Sequence, residues 1–226
     1  MKVKATLVIL VLVISSACFA QTEEAEPIRG NKGNQIIGIR LGIYHFTTAE
    51  ESIFGDNLVF SGAHENGFAA EFFFNYYFLD QLALEVSLAN ANRGDILFES
   101  DSIGRLFGSA NVYPMAVGLK FTPVSGIISE KFQPYFFGGG SLVITREIFE
   151  GGTLYGPYTF YDFDSKSRTD VGWWAGGGIE SYLSRKILLS SSFKYYSIEY
   201  SKYIAGYKDH SGYQITVGIG YNFKKN

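Results

Sequence analysis

The residues in this 226-residue chain best suited to chemistry are six charges set among apolar and small neighbours: Arg40, Glu71, Glu85, Lys120, Glu180 and Lys194. Three are basic and three acidic, so the set is neutral. A charge that leaves water needs a partner or a bound solvent molecule. The expectation is therefore an internal ion-pair network, not a reactive centre. The three histidines are His45, His64 and His210. Asp209-His210-Ser211 has the residue types of a hydrolase. Adjacent side chains of an extended chain point apart, however, and a nucleophile must lie within hydrogen-bond reach of its base. That leaves His45 with Ser211, across the first and last strands, as the catalytic arrangement to test. Solvated loop histidines are the expected outcome. Asp162-Phe163-Asp164-Ser165-Lys166 opens like a calcium loop but puts Lys166 where an oxygen ligand is needed and lacks the required glycine. The glycine runs Gly138-Gly139-Gly140 and Gly176-Gly177-Gly178 are not followed by the Lys-Ser or Lys-Thr of a phosphate loop. No catalytic, cofactor-binding or metal-binding residue is assigned.

The elements that must position the six charges show as segments of roughly ten residues whose polarity alternates, separated by turn signals. Gln35 to Phe46 sets Ile37, Ile39, Leu41 and Ile43 against Gly38, Arg40 and Gly42. Gly67 to Phe78 sets Phe68, Ala70, Phe72, Phe74 and Tyr76 against Glu71 and Asn75. A third strand begins at Leu82 after the tight turn Leu79-Asp80-Gln81, with Leu82, Leu84, Val86 and Leu88 on one face and Glu85 on the other. The fourth spans Asn111 to Thr122, the fifth Pro134 to Arg146 and the sixth about Asp170 to Leu183. The seventh spans Ile187 to Ser197 and the eighth Gly212 to Phe223. Connections after the second and sixth are short, and that after the fourth is moderate. Those after the first, third, fifth and seventh read as long polar loops. Short turns at one rim and long loops at the other, with an even strand number, return both termini to the short-turn rim.

Composition agrees with strands: 20 Phe, 16 Tyr and 26 Gly stand beside 5 Pro. Mean hydropathy is +0.05, far below that of a helical membrane protein. Met1-Lys2-Val3-Lys4, the apolar run Ala5–Ile14 and the small residues ending at Ala20 read as a secretory signal peptide over residues 1–20. The run is short for a membrane anchor. Cys18, the single cysteine, is then lost with the signal, or it is acylated if the segment is processed as a lipoprotein. Losing Lys2 and Lys4 takes the formal charge of −3 two units further negative. With no basic stripe, this excludes nucleic acid as a partner. Residues 21–34 read as a flexible lead-in.

Alternation alone does not say which face points outward. A soluble barrel has an apolar interior and a membrane barrel the reverse. Here the apolar face carries large side chains, and the other carries Gly, Ala, Ser, Thr and charges. An eight-stranded barrel has room inside only for side chains. The bulky face therefore belongs in lipid. The expected fold is all-β, an eight-stranded antiparallel up-and-down transmembrane β-barrel over residues 35–226. A lumen filled by Arg40, Glu71, Glu85, Lys120, Glu180 and Lys194 follows.

Pro134-Tyr135-Phe136-Phe137-Gly138-Gly139-Gly140 and Gly172-Trp173-Trp174-Ala175-Gly176-Gly177-Gly178-Ile179-Glu180 resemble the glycine-rich fifth and sixth strands of the OmpA-like and OmpX-like small outer-membrane β-barrel proteins. Val217-Gly218-Ile219-Gly220-Tyr221-Asn222-Phe223 is similar to that family's last strand, which ends on an aromatic; here Lys224-Lys225-Asn226 follows it. The resemblance implies the bacterial outer membrane with both termini periplasmic and insertion by the barrel-assembly machinery. It also implies contact with outer-membrane lipid and lipopolysaccharide, extracellular loops and an occluded lumen. The aromatic loop Tyr155-Gly156-Pro157-Tyr158-Thr159-Phe160-Tyr161 suits either a surface ligand or the lipid–water boundary. The leading expectation is a non-enzymatic barrel with a structural, envelope-integrity or surface-interaction role. A narrow channel for ions or small hydrophobic solutes comes second, and a lipid A-modifying enzyme third. No cofactor is expected.

Overall fold

A computed structural model of the protein describes residues 31–47, 53–54, 58–61, 66–100, 104–123, 132–153, 159–160, 164–204 and 207–223. The signal segment 1–20 with Cys18, residues 21–30 of the lead-in, His64 and most of the loop 155–161 lie outside the described residues. Eight long strands carry the fold: β1 Gln35–Phe46, β2 Asn66–Tyr77, β3 Leu82–Ser100, β4 Gly104–Phe121, β5 Phe132–Thr153, β6 Asp164–Tyr182, β7 Ile187–Ser197 and β8 Gly212–Asn222. Each pairs antiparallel with the next, and β8 pairs with β1 from Ile36↔Asn222 to Phe46↔Gly212, closing the ring. Closure leaves no unpaired edge around the ring, which is the condition for strands to cross lipid. No helix among the described residues is long and apolar enough to cross a membrane.

The strand period of two puts each bulky set outward. Ile39, Leu41, Phe68, Phe72, Val117, Leu119, Phe136, Ile215 and Ile219 are all exposed, in a belt that runs round the barrel. So continuous an apolar surface is not tolerated in water and is matched to hydrocarbon. Trp173, Tyr195 and Tyr213 follow one another at one border of the belt, with ring centroids 5.6 and 5.2 Å apart. Such a row is the interfacial aromatic girdle.

The interior differs from expectation in one respect. Small residues and charges do not fill it alone, because Tyr44, Phe46, Phe73, Tyr77, Tyr135, Phe137, Trp174 and Tyr196 also point inward and are buried. Glycines opposite them provide the volume. A Cβ on Gly118 would come within 2.7 Å of both Trp174 Cζ2 and the Gly138 carbonyl carbon, neither of which can move cheaply. Gly118→Ala is expected to destabilise the barrel by about 1–3 kcal/mol, the usual cost of overpacking. The midpoint of urea unfolding in lipid vesicles reports it, and an unchanged midpoint would show that the core is loosely packed there.

Among the described residues, the connections after the third and fifth strands are largely strand. β3 and β4 continue as a ladder to Ser100↔Gly104, and β5 and β6 to Phe149↔Asp164. β3 to β6 thus rise beyond the ends of β1, β2, β7 and β8 as a four-stranded wing. Gly94-Asp95-Ile96-Leu97-Phe98-Glu99-Ser100 and Gly104-Arg105-Leu106-Phe107 group their apolar residues in runs, so the alternation that marks a lipid-facing strand is absent there. Short strands flank it: Leu58–Ser61 on β3 with Ile53–Phe54 beyond, and Thr159–Phe160 on β5. A hairpin of Glu199–Ile204 and Tyr207–Asp209 folds inward from β7. Its Tyr200 and Ile204, with Ile198 just before it, join Val112, Val143 and Phe46 in one apolar cluster over the open side of the barrel. Residues 31–34 of the lead-in are held against the opposite mouth.

Candidate functional site

Alternation along each strand brings all six charges to the lumen side, and all are buried. Register sets their neighbours, beginning with Arg40 and Glu71, which face each other across β1 and β2. Arg40 Nη1 lies 3.4 Å from Glu71 Oε2 and 3.4 Å from Glu85 Oε1, and its Nε donates to Ser190 Oγ at 3.2 Å. Lys194 Nζ donates to Glu71 Oε1, to Glu85 Oε1 at 2.9 Å and to Ser87 Oγ at 3.4 Å. Lys120 Nζ donates to Glu180 Oε1. The structure therefore gathers Arg40, Glu71, Glu85 and Lys194 from β1, β2, β3 and β7, and Lys120 with Glu180 from β4 and β6. Each group is neutral by itself. The faces of aromatic rings flank the cations. The Arg40 guanidinium lies 3.8 Å from the Phe73 centroid, Lys120 Nζ 4.1 Å from Tyr135, and Lys194 Nζ 4.8 Å from both Phe137 and Trp174. These inward aromatics add cation–π contacts to the ion pairs.

A second polar cluster lies above the girdle, where the hairpin roofs the barrel. Arg93 of β3 is buried, its guanidinium between the rings of Phe46 (4.6 Å) and Tyr207 (3.7 Å). Its Nη1 lies 3.0 Å from His210 Nδ1. Arginine only donates, so Nδ1 is the acceptor and the ring proton sits on Nε2. That nitrogen then donates to the Ile204 carbonyl at 3.2 Å. Tyr44 Oη donates to the His210 carbonyl at 3.2 Å, and the Tyr200 ring stands edge-on to the imidazole. His210 is fully buried, which corrects its reading as a solvated loop histidine. Burial, then the Arg93 charge, push its pKa down to about 3.

The His45–Ser211 pairing is absent. His45 Nδ1 is 2.9 Å from Asn66 Oδ1 on the outer side, while Ser211 is buried and its Oγ accepts the Ile198 N–H at 2.9 Å. No group of His, Cys, Asp and Glu suited to a metal occurs among the described residues. Sequence reasoning passed over Arg93 because it lies in the wing extension, beside a register shift between Asn92 and Gly94.

A closed eight-stranded meander with an apolar belt, an aromatic border and a packed interior defines a small outer-membrane β-barrel. The chain matches the outer membrane protein beta-barrel domain over residues 6–223 and belongs to that family, whose place is the bacterial outer membrane. Among solved structures it is similar to OprG from Pseudomonas aeruginosa, at 16% identity over 90% of this chain and 100% of that one, with a TM-score of 0.59. Neisserial surface protein A is similar at 13% identity over 85% of this chain and 98% of that one, with a TM-score of 0.52. Ail from Yersinia pestis, solved in complex with the heparin analogue sucrose octasulfate, is similar at 17% identity over 85% and 99% of the two chains, with a TM-score of 0.51. At such identities the likeness is one of fold. No curated protein sequence matches the chain.

Proposed function

We propose that the protein is a closed, non-enzymatic outer-membrane barrel that serves the envelope structurally and presents its wing and roof as a surface for interaction. The observation that carries this reading is the filled lumen: two neutral ion groups, backed by aromatic rings, with the Arg93–His210 roof above them. The concavities that stand out are shallow grooves on the outward face, lined by residues such as Ile39, Leu41, Ala70 and Phe72. In this reading the short turns and both termini are periplasmic, and the wing faces outward. Lipid and lipopolysaccharide contact the belt, the barrel-assembly machinery inserts the chain, and a surface ligand docks on the wing.

Planar-bilayer recording tests the closed lumen. Purified protein is expected to give no steady conductance, and a sustained open current would overturn the reading. For the chemistry, His45→Ala and His210→Ala are expected to leave the mass profile of cellular lipid A unchanged. A mass shift that depends on either histidine would make the protein an enzyme.

A further inference from the structure

We infer that residues Asn31–Asn34, immediately before β1, form a built-in stopper across the short-turn mouth of the barrel. The four residues make a turn closed by the Asn34 N–H donating to the Asn31 carbonyl at 2.9 Å. Gly33 sits in it at φ 82°, in the left-handed region. Backbone bonds tie the turn to the end of β2: the Gly33 N–H donates to the Tyr77 carbonyl at 2.7 Å, and the Tyr77 N–H to the Asn34 carbonyl at 3.0 Å. The Lys32 N–H donates to Asp80 Oδ1 in the β2–β3 turn at 2.9 Å. The Asn31 side chain then makes a bond that a simple extension of β1 would not make. Its Nδ2 donates to Gln133 Oε1 on β5 at 3.0 Å, with both residues buried.

In a ring of eight sequential strands, β5 stands diametrically opposite β1. A side chain anchored beside β1 and β2 and bonded to β5 therefore crosses the opening. Asn34 is buried as well, and its Nδ2 reaches Asn31 Oδ1 at 3.4 Å. Above the turn lies the apolar floor of Ile36, Phe73, Tyr77, Ala83, Tyr182 and Leu188, which the stopper separates from solvent. The stopper acts at the mouth and does not depend on the mid-lumen ion groups, so it stands or falls separately from the closed-lumen reading.

The test places a single cysteine on the floor, Ala83→Cys, in protein carrying Cys18→Ser. Its rate of modification by a water-soluble methanethiosulfonate reagent is then measured in detergent, with heat-dependent gel mobility confirming a folded barrel. The stopper is opened in two independent ways. Gly33→Val forces a branched residue into the left-handed region although a Cβ there meets nothing within 4 Å. Gln133→Leu removes the anchor on the opposite wall. A non-glycine residue in that conformation shifts the opening equilibrium by roughly tenfold, and Ala83→Cys is expected to react faster by about that factor. Ala91→Cys, in the upper cluster, is expected to keep its rate. Three outcomes would overturn the inference: Ala83→Cys reacting with the stopper intact as fast as a cysteine at exposed Gln81, its rate unmoved by both variants, or Ala91→Cys accelerating in parallel. If Gly33→Val does not fold, Gln133→Leu alone decides.

Discussion

Replacing Lys194 by methionine is expected to lower the unfolding free energy of the barrel by about 3–5 kcal/mol, the cost of leaving a buried charge without its partner. Lys194 is shared by Glu71 and Glu85, and Arg40 is the other cation of that group. Without the lysine, two buried carboxylates share one guanidinium. Methionine keeps most of the volume between Phe137 and Trp174, so the loss reports charge and not a cavity. Adding Glu71→Gln to Lys194→Met removes the surplus negative charge and is expected to recover most of the stability. Lys120→Met should behave likewise, with recovery on adding Glu180→Gln, because that pair is neutral by itself. Urea unfolding in lipid vesicles, read as a double-mutant cycle, measures the coupling. Single variants within about 1 kcal/mol of the parent would mean that the charges are individually hydrated and contribute no network.

Acidification is expected to loosen the roof while leaving the barrel closed. The pKa of His210 in the closed roof is about 3, against an ordinary value near 6.5. The opened state therefore binds a proton that the closed state refuses. Stability from this group is present above about pH 6.5 and is lost as pH falls towards 3, at about 1.4 kcal/mol per unit. Between pH 6.5 and 4.5 the local opening free energy should drop by about 2 kcal/mol. Arg93 faces the imidazole from β3, and Asp209 lies on the same hairpin. Hydrogen exchange reads the effect at the amides of Ile198, His210 and Ser211, which donate within the roof. The amides of β1 and β8 should be unaffected. His210→Gln keeps an acceptor for Arg93 and a donor for Ile204 but has nothing to titrate, so it should flatten the pH dependence. Exchange with the same slope in His210→Gln would assign the effect to another group.

How much of this was legible depends on where each residue sits. Ile37-Ile39-Leu41-Ile43 and Tyr213-Ile215-Val217-Ile219 alternate cleanly because one face meets lipid and the other a glycine-rich interior. The strand bounds read there match β1 and come within a residue of β8. In Phe72-Phe73-Phe74 and Trp173-Trp174 both faces are aromatic and no alternation shows. Yet Trp173 is 54% exposed and Trp174 only 1%, so the inner aromatics went unread. The inward position of the six charges follows from period two. Their grouping does not, because Lys194 to Glu85 joins residues 109 apart in sequence, and only barrel closure and strand stagger bring them together. The wing was invisible for a related reason: runs such as Ile96-Leu97-Phe98 do not alternate and so carry no strand signal. Arg93 and the depth of His210 were hidden with it.

The wing gives the molecule a front and a back. β5 has 22 residues and β1 has 12. At roughly 3.3 Å per residue and a tilt near 40°, the difference raises the highest point of the rim by about 25 Å over the lowest. A cylinder of uniform height looks the same from every bearing in the membrane plane. This one is a terrace backed by a wall. In the outward-facing orientation proposed above, anything that travels sideways along the surface meets a parapet from one direction and open ground from the other.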